Sequence, residues 1–306
     1  MANPVIVFGP TGNIARVAAT FARSRGATVT LAMRDPSKAI PGLSQSDESS
    51  GRYKRVQADL HQPHTVAAAV ESSGAKRAFI YVAHGSKDHM KATIQALKDA
   101  GITFVVFLGS FTVTDPASKI DVSDPIAYVH SQVEVNLEII FGRGHYCAIR
   151  PGSFITNSLA WKKGIQNGQL QLFGLNFKMD CITPDDMGRV SGAILAASPE
   201  QEIEHAVYLY GPQLVAQREV AETIAKVLEK DVKVEGQTPE EATQAMLKAG
   251  MPPRIVQWTV SRRTDDKAET VERPDYAKGV ANIEKWTGQP AMGFAEWVTG
   301  NKELFV

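Results

Sequence analysis

Two groups of residues in this 306-residue chain have side chains and spacings suited to chemistry. The first is Tyr128-Val129-His130-Ser131-Gln132-Val133-Glu134. On a helix, Tyr128 and Gln132 stand about one turn apart and share a face. A tyrosine hydroxyl in a cleft can pass a proton to or from a substrate. It does so best beside a fixed cation. Gln132 on that face brings no charge, which leaves Tyr128 a weak general acid or base. The alternative for Tyr128 is a packed tyrosine on a buried helix. His130, two residues on, points to another face, where packing or a hydrogen bond is expected. The second group follows apolar runs. His84 lies in Ala83-His84-Gly85-Ser86 after Arg77–Val82, and Ser110 follows Gly109 after Phe104–Leu108. An imidazole titrates near neutrality, and Ser110 can position a substrate oxygen. Ligands in open α/β sheets bind beyond the carboxyl ends of strands, where both would sit. Lys87 could supply such a cation, although a solvated lysine is the simpler reading. The close pair His61 and His64 has no cluster of acidic or thiol ligands around it, so no metal site is expected.

The start of the chain suggests a cofactor. Val5-Ile6-Val7-Phe8 is an apolar run that stops at Gly9, and Gly12-Asn13-Ile14-Ala15-Arg16 opens a helical pattern. This reads as a strand, a tight turn and a helix N-terminus, whose N–H groups and dipole favour a pyrophosphate. Gly9, Thr11, Gly12, Asn13 and Ile14 are the expected contacts. Ala15 fills a slot often held by a third glycine and is small enough for close packing. An ordinary strand–helix turn is the competing reading. The next run, Thr28–Met33, ends in Arg34, with Lys38 four residues on. A carboxylate there would bind a ribose 2′-hydroxyl; a guanidinium suits a 2′-phosphate instead. This predicts NADP(H) rather than NAD(H). Asp35 is one place late for the carboxylate role and could simply pair with Arg34 in a solvated loop.

The elements that position these residues alternate. Strands are expected at Val5–Phe8, Thr28–Met33, Tyr53–Gln57, Arg77–Val82, Phe104–Leu108 and Tyr146–Arg150, with helices near 13–25, 64–72, 87–100 and 125–141. Asp124-Pro125 and Thr238-Pro239-Glu240-Glu241 are helix starts. Residues 44–51 read as an exposed loop. Short runs that are apolar nearly throughout suit a parallel sheet covered on both faces. The fold class is therefore α/β: a doubly wound, mostly parallel Rossmann sheet with a smaller interleaved α/β substrate lobe. Residues 1–156 form the NADP-binding domain and 157–306 the lobe, with about 184–212 returning to the main sheet. In the lobe, a short helix and loop are expected at 161–168, strands near 179–182, 206–210 and 231–235, and helices at 184–197 and 217–229. Trp161, Phe173, Phe177 and Trp258 either line a substrate pocket or belong to the core. Lysine plus arginine equals aspartate plus glutamate at 33 each, which gives no reason to expect nucleic acid or an anionic membrane. Two cysteines and no leader-like or spanning segment suggest a cytoplasmic protein with a small-molecule substrate and no membrane partner. The oligomeric state is left open.

The chain resembles the NmrA-like branch of the atypical short-chain dehydrogenase/reductases over nearly its whole length. The resemblance rests on Gly9-Pro10-Thr11-Gly12, on Leu31 to Lys38, on Ala58-Asp59-Leu60, on Arg150-Pro151-Gly152-Ser153-Phe154-Ile155-Thr156-Asn157, and on Ile283 to Pro290 with Phe294 to Trp297. It implies that Asp59 and Leu60 lie beside the adenine. Ala83, His84, Gly109, Pro151, Gly152 and Phe154 join the cofactor site, and Gln132 replaces the family's usual ribose-binding lysine. The implied activity is NADPH-dependent reduction of a C=O, C=N or conjugated C=C bond. The branch also contains redox-sensing regulators without turnover, and non-redox rearrangement with the cofactor bound is the other alternative.

Overall fold

The computed structural model describes residues 3–49, 53–114, 116–198, 200–263 and 273–306. Its first half runs β1 (Pro4–Phe8), α1 (Asn13–Ser24), β2 (Thr28–Met33), α2 (Gln45–Ser49), β3 (Tyr53–Gln57), α3 (Pro63–Ser73), β4 (Arg77–Tyr81), α4 (Lys91–Asp99), β5 (Phe104–Leu108), α5 (Pro125–Phe141) and β6 (Tyr146–Pro151). The second half runs α6 (Lys162–Gln166), β7 (Gln169–Leu172), β8 (Lys178–Met179), α7 (Pro184–Ala196), β9 (Ala206–Leu209), β10 (Val215–Ala216), α8 (Gln217–Val227), β11 (Lys233–Gly236), α9 (Pro239–Lys248), α10 (Pro253–Arg262), α11 (Tyr276–Thr287) and α12 (Phe294–Gly300).

The apolar runs become strands because both of their faces are covered. Seven strands form one sheet in the order β3-β2-β1-β4-β5-β6-β9, and all neighbours are parallel. Val5, Val7, Val29, Leu31, Phe79 and Val106 pack with the alanine stripe of α1 and with α7 and α11. Ile6, Ile80, Val105 and Phe107 pack with α3, α4 and α5 on the other face. This is the doubly wound Rossmann sheet that the alternation predicts. Its strand order reverses at β1, which lies between β2 and β4, and that crevice is where such sheets bind ligands. Gly188 and Gly192 let α7 press on α1: a Cβ at Gly188 would strike the Val17 side chain, and one at Gly192 the Ala18 carbonyl.

A third apolar cluster, including Ile165, Leu170, Phe177, Ile224, Trp297 and Phe305, forms the core of the smaller lobe. Two small sheets, β10-β8 and β11-β7, stiffen it. The chain re-enters the main body through α7, β9 and α11, and Ile283 and Trp286 of α11 join the main core.

Local signals set most boundaries. Asp124 Oδ1 accepts the Ala127 N–H at 3.0 Å, and Thr238 and Glu241 form a reciprocal capping box. Of the places that differ from the sequence reading, three have a clear local cause. The helix expected from Lys87 begins at Lys91, because His89 and Met90 have φ of 51° and 64°. Residues 45–49 of the expected loop form α2, where Asp47 accepts from the Ser44 hydroxyl at 2.7 Å; Ser50 and Gly51 lie outside the described residues. The strand expected at 179–182 stops at Met179, since Cys181 has a φ of 49°.

Candidate functional site

The carboxyl ends of β1 and β4 frame the site. Gly9 leaves β1 with a φ of +70°, a conformation that favours glycine. Its N–H is held by the Ala32 carbonyl at 2.9 Å, and its own carbonyl accepts the Gly12 N–H at 2.9 Å. Gly12 is the extended N-cap of α1 and brings no side-chain cap. The first-turn N–H groups of α1 therefore face outward without an intrahelical partner, next to the positive end of the helix dipole.

Two chambers open beside this turn. The first, about 270 Å³, is lined by Arg34 after β2, by Ala58, Asp59 and Leu60 after β3, and by Ala83 and His84 after β4. The second, about 400 Å³, is lined by Gly12, Asn13, Ile14, Leu108, Phe154, Thr156 and Pro184. Gly9, Thr11 and Tyr81 line both. Arg34 is exposed, and its guanidinium has no hydrogen bond or ion pair among the described residues. Asp35 turns away to Ser37, accepting its N–H at 2.9 Å and its hydroxyl at 2.6 Å. Those bonds hold the Asp35 carboxyl below the usual carboxylate range. No Arg34–Asp35 pair forms, which leaves the guanidinium open to an anion. Lys38 is exposed in the same loop and does not line the chamber.

The residues read as proton carriers are spread out. His84 lines the first chamber. Ser110 Oγ lies 2.9 Å from Thr112 Oγ1, and Tyr128 sets its ring edge-on against His89 at 5.7 Å. Ser110, Tyr128 and Gln132 line neither chamber. His130 packs against Phe107 with Nδ1 buried and unpartnered. Burial, with repulsion from His84, brings the His130 pKa down to about 4.

Buried charges lie close against Gly109 and Gly152, and these the sequence reading missed. Arg150 Nη2 donates to Glu134 Oε2 at 2.6 Å, with both side chains sealed from solvent. Arg150 Nη1 also donates to the Tyr208 hydroxyl, which donates to the Val113 carbonyl at 3.0 Å. Gly109 approaches this pair closely: a Cβ there would lie 3.3 Å from Glu134 Oε1. Asp180 accepts from the Ser153 N–H at 2.9 Å and from Arg273 Nε at 2.8 Å, and it occupies the space a Gly152 side chain would need. Pro151 ends β6 in the buried sheet. The one sequence signal for these pairs was a charge inside an apolar strand, Arg150. Phe173 and Phe177 are buried, Trp161 packs on the lobe core, and Trp258 lies under the Arg262 guanidinium at 5.2 Å.

Comparisons with known proteins show the family and the fold. The family profile described as NAD(P)H-binding matches residues 9–197. A nitrogen metabolite regulation-like protein, bik4, of Gibberella fujikuroi is 32% identical over 316 residues, covering 96% of this chain and 95% of that protein. An NAD(P)H azoreductase of Xenophilus azovorans is 24% identical over 98% of this chain and 99% of its own. Among solved structures, an Escherichia coli NADPH-dependent quinone oxidoreductase complexed with NADPH superimposes with a TM-score of 0.73 at 18% identity, over 97% of this chain and 99% of that one.

Proposed function

This chain belongs to the NAD(P)H-binding family, in its NmrA-like branch, and from that premise we propose that it is an NADPH-dependent reductase of small organic molecules. The observation that carries the choice of cofactor is Arg34, an unpartnered guanidinium at the rim of the first chamber. It suits a 2′-phosphate, with Lys38 adding charge nearby. Gly9, Thr11 and Gly12, with the open N–H groups of Asn13 and Ile14, fit a pyrophosphate. Asp59, Leu60 and Ala83 fit the adenosine half, and Phe154 with Leu108 fits an apolar ring in the second chamber. NADPH bound there supplies a hydride. The chain's part is then to orient an acceptor and deliver a proton to the atom that gains negative charge. His84 and Ser110 are the groups assigned to that proton, with Tyr128 in reserve and Gln132 limited to hydrogen bonding. The acceptor class is a C=O, C=N or conjugated C=C bond in a quinone-like or secondary-metabolite-like molecule; the relative from Xenophilus azovorans bears the name of an azoreductase.

A second reading has its own support. Tyr128 rests on His89 and not in a chamber, and the Gibberella fujikuroi relative carries a regulatory name. Both suit an NADP(H) sensor without turnover. One experiment separates the readings. Purified protein is incubated with deuterated NADPH and a panel of quinones, enones, imines and azo compounds, following cofactor oxidation and deuterium in product. Deuterium transfer establishes the reductase. Tight NADPH binding with no transfer to any acceptor favours the sensor, or non-redox chemistry on a bound cofactor.

A further inference from the structure

Of the three residues that line both chambers, Gly9, Thr11 and Tyr81, Tyr81 carries the largest side chain. Tyr81 is the last residue of β4, and Gly9 follows the last residue of β1, so the two meet at the point where the strand order reverses. The ring lies against the glycine: a Cβ at Gly9 would sit 2.6 Å from Tyr81 Cε1 and 2.7 Å from its hydroxyl oxygen. Tyr81 is 37% exposed, makes no hydrogen bond among the described residues, and forms a wall of both chambers. Arg34 and Asp59 line the first chamber with it, on the adenosine side. A large aromatic ring with no partner to anchor its tip can change rotamer without breaking a hydrogen bond.

A dinucleotide that uses Arg34 at one end and Phe154 at the other must pass Gly9 and Gly12. We propose that Tyr81 is a gating residue of the cleft, a swinging partition whose ring leaves Gly9 to let the dinucleotide join the two chambers. The inference rests on the cofactor reading above. The ring-on-glycine position and the bound position exclude one another, so the open form is a minor state that NADPH selects. Apparent affinity is then reduced by the fraction of open molecules, and removal of the ring restores it.

The test is NADPH binding, by equilibrium titration and by stopped-flow fluorescence, for wild type, Tyr81→Ala and Tyr81→Phe, with circular dichroism as a check of fold. In the wild type the observed rate should level off as NADPH rises, because opening limits entry. In Tyr81→Ala it should rise linearly, and affinity should tighten about tenfold if about one molecule in ten is open. Tyr81→Phe keeps the ring and should keep the plateau. A Tyr81→Ala variant with wild-type kinetics, or one that binds more weakly, overturns the partition, the latter showing that the ring is a fixed contact. A wild type that binds neither NADPH nor NADH overturns the cofactor reading, and the partition with it.

Discussion

Arg150 and Glu134 meet at 2.6 Å in a place that water does not reach, and they tie β6 to α5 beneath the glycine at position 109. Removing one partner takes from the other its closest opposite charge. Arg150→Met should therefore lower stability by about 3–5 kcal/mol. The double variant Arg150→Met with Glu134→Leu should recover most of that loss, because two apolar side chains need no partner. Urea unfolding of the three proteins gives the comparison. A single variant as stable as wild type would mean the pair contributes nothing.

Arg34 carries the cofactor preference. A charge-assisted contact to a phosphate contributes about 1.5–3 kcal/mol, or roughly ten- to a hundredfold in affinity. Arg34→Ala should lose that factor for NADPH and change little for NADH. Calorimetric titration with both cofactors decides it, and equal affinities in the wild type would reject the assignment.

Gly12 has an ordinary φ of −80°, and a Cβ there would lie 3.3 Å from the Gly9 carbonyl oxygen, a tight contact that a small shift of the turn relieves. The cost of a side chain should fall on the ligand. Gly12→Val should fold with a near wild-type circular dichroism spectrum and bind NADPH too weakly to detect. Normal binding by a folded variant would move the pyrophosphate away from this turn.

His130 predicts a pH dependence of stability. Its pKa of about 4 lies below the 6.5 of a free imidazole, so as pH falls the unfolded chain takes the proton first. The contribution is complete above pH 6.5 and is lost as pH drops towards about 4. Within that window the slope approaches about 1.4 kcal/mol per pH unit. His130→Phe should flatten this part of the profile. Urea midpoints measured across the window provide the check.

Gln132 and Tyr128 test the proton donor. A lysine at 132 would place a cation one helical turn from the phenol and favour its ionised form. If Tyr128 delivers the proton, Gln132→Lys should shift the pH–rate profile to lower pH, and Tyr128→Phe should abolish turnover. The packing of Tyr128 on His89 favours the opposite outcome, three nearly superimposable profiles, with the proton coming from His84, Ser110 or water. The profiles on one accepted substrate distinguish the two.

Much of this molecule is legible in short stretches of the chain. The strands at residues 5–8, 28–33 and 104–108, the glycine turn, the caps at Asp124 and Thr238 and the guanidinium at Arg34 depend on near neighbours. Backbone propensity, capping and the period of apolar residues act over a few positions, and a sequence displays them directly. The boundaries at Lys91 and Met179 were not legible, because they hang on single residues with positive φ that the surrounding fold imposes.

The tertiary structure alone decided which residues share a space. The sequence placed Tyr128 and Gln132 on one helical face, yet only packing could say that this face meets His89 and lies outside both chambers. Tyr81 lay inside the strand expected at Arg77–Val82. It became a wall of the cleft because β4 is laid directly beside β1, which brings its ring onto Gly9. Arg150 with Glu134, and Asp180 with Arg273, joined for the same reason. Such contacts follow from strand order and from how helices and loops cover the sheet, and burial then makes each charge require the partner that the fold brings to it.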